Sequence, residues 1–234
     1  LSAWAWGASR VMDWIETEPL LDAKRVAVVG HSRGGKTSLL AAVTDPRFAL
    51  VCPNDSGTGG VRRNRIVLPD AEPWTSFDYF GVSYWFCDNF RKTFKQDNGQ
   101  GVAHDQDEWM SLVAPRLLCV HSAAADDWAG PDGEHASART AAETWRRQGV
   151  PGGFWYDVRE GGHDLNLVDW TGYLDFADAH WRGAVVTVKP GDAEDLKRQL
   201  ARKERPLHVI VPEGEYKGDK EIAVPLGVTL RAHP

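Results

Sequence analysis

Val26-Ala27-Val28-Val29-Gly30-His31-Ser32-Arg33-Gly34-Gly35-Lys36-Thr37 is an apolar run that stops at a Gly-x-Ser-x-Gly pentapeptide and continues into a helix-like segment with Leu39, Leu40 and Val43. A serine at a sharp turn between strand and helix adopts strained backbone angles that lift its hydroxyl clear of a sheet. Gly30 and Gly34 leave room there for the flanking backbone to come close. The helix behind the turn aims its positive end at Ser32, where an oxyanion would form. The segment therefore predicts a serine nucleophile rather than an ordinary glycine-rich turn.

On the N-terminal side, Trp4, Ala8, Val11, Met12 and Ile15 recur at helical spacing, and Pro19 closes that helix before a strand over 25–29. Phe48-Ala49-Leu50-Val51-Cys52-Pro53 is a continuous apolar run of the kind buried on both faces of a parallel sheet; the loop Asn54-Asp55-Ser56-Gly57-Thr58-Gly59-Gly60 follows. The stretch to about residue 106 scatters aromatic side chains, Trp74, Phe77, Tyr84, Trp85 and Phe90 among them, and reads as irregular loops or a cap lining a site. Strands at 117–121 and 153–158, a helix at 133–148 and a closing helix around Trp170, Leu174, Phe176 and His180 complete the pattern. Such alternation argues a mostly parallel sheet covered on both faces. The expected class is α/β, a partial α/β-hydrolase three-layer sandwich over residues 1–183, with its site at the C-terminal edge of the strands.

From residue 184 the character changes. A short strand at 184–188, an amphipathic helix with Leu196 and Leu200, and a strand at 207–211 precede two further short strands, at 222–224 and 228–230. This order resembles the helical cap and first coil of a parallel β-helix of the pectate lyase kind, so residues 184–234 are expected to open a second domain. One coil cannot bury its own apolar face without stacked neighbours.

Composition narrows the class of partner. The 234 residues carry a net charge of −6 with no basic block, which argues against nucleic acid, and no apolar stretch reaches the roughly 18 residues of a membrane span. Cys52, Cys87 and Cys119 have neither zinc nor disulfide-framework spacing and read as buried thiols. The chain opens inside an amphipathic pattern, without initiator Met or signal segment, and reads as a piece lacking the strands that should precede its first helix.

A serine hydroxyl needs a base that a third group orients. His163, in Gly161-Gly162-His163-Asp164 after the last strand of the sandwich, stands where the order serine, acid, histidine requires the base; His31, His104, His121 and His135 are rivals. For the acid, Asp126 and its neighbour Asp127 lie in the loop after the 117–121 strand, the usual place, with Glu72 as the other candidate. Arg33 and Lys36 set fixed positive charge beside the nucleophile, which suits an anionic group or a developing oxyanion better than a fatty acyl chain. Trp85 and Trp128 can stack on sugar faces.

Gly30-His31-Ser32-Arg33-Gly34-Gly35-Lys36, Asn54-Asp55-Ser56-Gly57, Trp85-Phe86-Cys87-Asp88-Asn89-Phe90, Ala114-Pro115-Arg116, Trp128 and Gly161-Gly162-His163-Asp164 together resemble the bacterial glucuronoyl esterases over residues 1–181. The resemblance implies cleavage, without a metal or other cofactor, of the ester joining glucuronic acid on xylan to lignin alcohols, in a secreted or periplasmic setting. It implies Ser32 as nucleophile, His163 as base, Arg33 as oxyanion donor, Lys36 and Trp85 as sugar contacts, and Asp126 or Glu72 as acid. Tyr84 departs from the family, which has His before the Trp. The rival readings are a carbohydrate acetyl esterase and a noncatalytic carbohydrate-binding or structural module.

Overall fold

The computed structural model describes residues 1–74, 85–88, 101, 103–203, 207–212, 214–217, 224 and 228–232. Helix α1 (Ser2–Ile15) buries Ala5, Ser9 and Met12, with Ala8 and Ile15 packed alongside. Trp4 and Val11, expected on that face, are exposed. Small Ala5 instead lets α1 lie close to Ala41. Strand β1 (Ala27–His31) turns at Ser32 into α2 (Arg33–Thr44), and β2 (Leu50–Asn54) follows. Helix α3 (Gln106–Ser111), in a segment where the sequence reading places no element, is capped by Asp105, whose side chain accepts from the Gln106 N–H. Then come β3 (Leu117–Ala123), α4 (Pro131–Arg147), β4 (Phe154–Arg159) and α5 (Leu167–Trp181).

The strands form one parallel sheet in the order β1-β2-β3-β4. Successive residues of a strand face opposite sides, and β2 uses both. Val51 joins Leu39, Met110, Leu118, Trp145 and Phe154 under α2, α3 and α4, while Leu50 and Cys52 join Cys119, Tyr173 and Phe176 under α5. That is why its sequence is apolar without alternation. Burial of Leu118, Phe154 and Phe176 contributes roughly 1.5–3 kcal/mol each. Arg116 stitches the layers together: its guanidinium donates to the carbonyls of Ala42 (2.8 Å) and Phe48 (3.1 Å), closing the C-terminal end of α2. Arg47 joins α1 to the turn before β2 through Asp13 (2.8 Å) and Glu16 (2.7 Å).

Beyond α5, strands β5 (Ala184–Thr187), β6 (Leu207–Val211) and β7 (Val228–Ala232) form a second parallel sheet in sequence order, and α6 (Ala193–Leu200) connects the first two. Val188, Leu196, Leu200, Leu207 and Val209 make its core. Of the expected strand at 222–224, residues 222 and 223 lie outside the described residues and Val224 is in no strand; the aromatic residues Phe77, Tyr84 and Phe90 also lie outside them. Cys52 and Cys119 are buried, whereas Cys87 is exposed, contrary to expectation. Its neighbour Phe86 takes the apolar contact instead, edge-on to Trp74 at 6.2 Å. Among the described residues no helix is long and apolar enough to cross a membrane.

The tight point of the fold is the turn after β1. A Cβ on Gly30 would lie 2.0 Å from the Gly34 carbonyl oxygen, whereas one on Gly34 would meet nothing within 4 Å, so of the two glycines only Gly30 is required by close approach. Gly30→Ala is expected to cost about 3 kcal/mol or more in urea unfolding because backbone must move. Gly34→Ala, inside α2, is expected to be neutral or stabilising by up to about 1 kcal/mol. Equal midpoints for Gly30→Ala and the parent protein would contradict this packing.

Candidate active site

Ser32 sits at φ 55°, ψ −120°, outside the regions that L-residues ordinarily occupy. Its N–H donates to the Asn54 carbonyl (2.8 Å), which ties the turn to the end of β2. Helix α2 begins at Arg33, so the Arg33 N–H belongs to the first turn, where amides lack intrahelical acceptors and are available to an oxyanion. The Arg33 guanidinium lies over Trp85, 4.8 Å from the ring centroid, with Trp4 at 5.7 Å. Cation–π attraction thus holds this cation at the mouth of the turn. Trp85 is engaged with Arg33 and also lines a cavity of about 320 Å³ together with Lys36, Leu39, Trp74 and Trp109.

His163 follows β4 in a loop that turns at Gly161 (φ 100°). Its Nδ1 is 2.6 Å from Asp126 Oδ2, and its ring centroid is 4.5 Å from that of His31, the residue before Ser32. Asp126 is buried and fixed by the Ala129 N–H, which donates to Oδ1 (3.1 Å). With Nδ1–H given to the carboxylate, Nε2 keeps the lone pair that could accept a proton from serine. The hydrogen bond to Asp126 raises the His163 pKa above the usual 6.5, against the opposing effect of burial. Among the described residues no hydrogen bond joins the Ser32 hydroxyl to His163; in serine hydrolases this contact is often loose without substrate.

A second carboxylate faces the same imidazole. Asp55, Asp126 and His163 offer side-chain atoms that all lie within 4.8 Å of one another. Asp55 directly follows β2 and, at φ 41°, is with Ser32 one of two positive-φ non-glycine residues in the described chain. Burial, then the negative charges of Glu134 and Asp126, push its carboxyl up to about 7 against the pull of Arg159 and His163. The Asn54-Asp55-Ser56-Gly57 motif marks the loop but by itself gives Asp55 no role. The available signal was an acidic residue immediately after a strand buried on both faces. Beneath it, fully buried Glu134 on α4 accepts from the Gly57 N–H (2.8 Å) and the Ser56 hydroxyl (3.2 Å), pinning the loop from below.

The other candidate acids are elsewhere. Glu72 is paired with Lys36 (2.9 Å), whose Nζ also donates to the Ser56 carbonyl (2.6 Å); both side chains are buried, so Glu72 answers the lysine rather than His163. Asp127 is exposed, because adjacent loop residues point apart and Asp126 takes the inward place. Glu72 and Trp128 share a cavity of about 350 Å³ with Arg62, Asn64 and Trp74. Trp128 is 42% exposed and is therefore open to a ligand rather than a core residue. Of the rival histidines, His104 pairs with Glu108 at the surface, His121 is buried near Asp169, and His135 stacks on Tyr156.

A strained serine between a parallel strand and its helix, with a histidine–carboxylate pair set against the same turn, is the layout of an α/β-hydrolase. Known proteins make the class narrower. The family model described as glucuronyl esterase, fungi, matches residues 1–149, and the chain belongs to this glucuronoyl esterase family. It is 38% identical over 200 residues to carbohydrate esterase MZ0003 from an unknown prokaryotic organism, covering 78% of this chain and 45% of that one. It is 34% identical to 4-O-methyl-glucuronoyl methylesterase 1 of Phanerochaete chrysosporium, over 56% of this chain and 29% of that protein. The chain thus spans less than half the length of either relative. A carbohydrate esterase family 15 glucuronoyl esterase from Caldicellulosiruptor kristjansonii superposes with a TM-score of 0.73 at 32% identity, over 77% of this chain and 50% of that one.

The raised His163 pKa has a definite sign. A general base works when neutral, so the acidic limb of the kcat/KM profile is expected above pH 6.5, and Asp126→Asn is expected to move it down. The same shift stabilises the fold fully below pH 6.5, a contribution lost as pH rises through the folded-state value. Asp126→Asn should also lower kcat by as much as about 10⁴-fold, Asp55→Asn by less, and Asp127→Asn by no more than about twofold. A larger loss in Asp55→Asn would reverse the roles of the two carboxylates.

Proposed function

We propose that the protein is a serine ester hydrolase acting on esters of glucuronic acid, with Ser32 as nucleophile, His163 as base and Asp126 as the orienting acid. The observation that carries this reading is the His163–Asp126 pair, 2.6 Å apart and packed on the elbow of a glucuronoyl esterase family chain. The Ser32 oxygen attacks the ester carbonyl carbon of the uronate while its proton passes to His163 Nε2. The Arg33 N–H and guanidinium receive the negative charge of the tetrahedral oxygen. Collapse expels the alcohol, which takes the proton from His163, and water then releases glucuronate from the acyl-serine by the same relay in reverse. Buried Lys36 and Glu72, together with half-open Trp128, would hold the sugar through its hydroxyls and one face, leaving Trp85 to set Arg33.

Within the same proposal, residues 1–183 are the esterase unit and 184–234 are the cap and first coil of a β-helix. Support comes from three parallel strands stacked in sequence order with α6 closing one end of their core.

Contacts to the sugar distinguish the glucuronate reading from an acetyl esterase, because both esters are uncharged and only the first places its sugar ring on the acyl side of the bond that breaks. Ser32→Ala is expected to lose about 10⁶-fold in kcat on a methyl glucuronate ester. Lys36→Met should weaken kcat/KM on that ester by about 1–3 kcal/mol, the range for a hydrogen bond to a charged group, and barely affect a small activated acetate ester. Equal losses on both substrates would make Lys36 a brace of the elbow. Faster release of acetate from acetylated xylan than of alcohol from the glucuronate ester would favour the acetyl esterase.

A further inference from the structure

Arg159, the last residue of β4, is 8% exposed and ends its side chain inside the loop that carries His163. A guanidinium has five N–H donors in a rigid fork, and here each has an acceptor. Nε donates to Asp169 Oδ2 at 2.7 Å. Nη1 donates to the carbonyls of Glu160 and Gly162, both at 3.1 Å. Nη2 donates to Asp55 Oδ2 at 3.2 Å and to the carbonyl of Asp164. Three of these acceptors are backbone oxygens of the base-bearing loop, and two of them, Gly162 and Asp164, flank His163. The loop closes around the cation at Gly161, at φ 100°, where an added Cβ would lie 3.3 Å from Nη1.

The far end of this fork is itself fixed. Asp169 accepts from Asn54 Nδ2 (3.1 Å) and the Asn166 N–H (3.0 Å) and completes the capping box of α5. Burial alone would raise its pKa, but hydrogen bonds from His121, the Asn166 N–H and Arg159 hold it down at about 2, so it anchors the arginine as a full charge. One planar group therefore joins the end of β2, the end of β4 and the start of α5.

The geometry points to Arg159 as a positioning residue for the esterase reaction, a template around which loop 160–164 is wound so that His163 meets Asp126 and the elbow. This rests on the esterase reading for its kinetic consequence and on the contacts above for its structural one. The alternative is a buried counter-charge for Asp55 and Asp169 with no say in loop shape.

Arg159→Lys separates the two. Lysine keeps the charge but, as a point donor with three protons, cannot span both carboxylates and three carbonyls. On a methyl glucuronate ester the variant is expected to lose about 100-fold in kcat, the scale of a 1 Å misplacement, with KM within about threefold because the Lys36–Glu72 wall is untouched. Backbone ¹⁵N order parameters for 160–164 should be near 0.85 in the parent protein, as in the sheet, and below about 0.6 in the variant. A lysine variant with parental kcat, one that loses activity while the loop stays rigid, or a parent protein whose loop is already flexible, overturns the template. Absence of esterase activity in the parent on every glucuronate ester would strike the functional reading alone, and the order parameters would then decide the template by themselves.

Discussion

Strand register governs the site. His31, Asn54 and His121 stand side by side on β1, β2 and β3, and His121 pairs with Asp157 on β4, so β1 and β2 end at one level and β3 and β4 run two residues beyond it. Hydrogen bonding continues past them: Ser32 N–H to the Asn54 carbonyl, Asp55 N–H to that of His121, and Ala125 N–H to that of Gly161. Each bond aligns one loop with the next, and together they place serine, carboxylates and histidine along a single edge. A slip of one residue in any strand would turn its side chains to the opposite face and scatter the group.

Gathering charge on that edge has an electrostatic cost. Asp55, Asp126 and Glu134 are buried near one another, and burial of unpaired carboxylates is unfavourable by several kcal/mol each. The structure offsets this locally. Glu134 takes donors from Gly57 and Ser56, Asp126 takes His163, and Asp55 has Arg159 on one oxygen. The remaining Asp55 oxygen is buried without a hydrogen-bond partner among the described residues, which fits a carboxyl that holds its proton to near neutrality. Strained backbone at Ser32 and Asp55 falls on the same edge, as expected where chemistry over-determines conformation.

Sequence reading was most informative where local chemistry repeats with the period of an element. The uninterrupted apolar run before Asn54, the alternation of strand and helix, and the glycine-flanked serine all have backbone causes that act within a few residues. It was weakest where the deciding neighbour is remote in sequence. Glu72 looked like a candidate acid because loop carboxylates all look alike; only packing set it on Lys36, 36 residues away. Cys87 read as buried from its apolar neighbours, yet those neighbours took the contact and left it outside. Helix α3 is six residues long, too short for periodicity to show, and its cap signal stood within a polar stretch.

By itself, then, the sequence determined a parallel α/β sheet, a serine elbow and a histidine in the closing loop, because turn chemistry and hydrophobic period are local properties of the chain. Tertiary structure alone decided which carboxylate meets His163, that Asp55 lies beside the same imidazole, and that Arg159 links Asp55, the 160–164 loop and Asp169. Those choices depend on distances of a few ångströms between groups separated by up to 115 residues, such as Asn54 and Asp169. Only the register of packed strands sets such distances, since no periodicity along the chain encodes them.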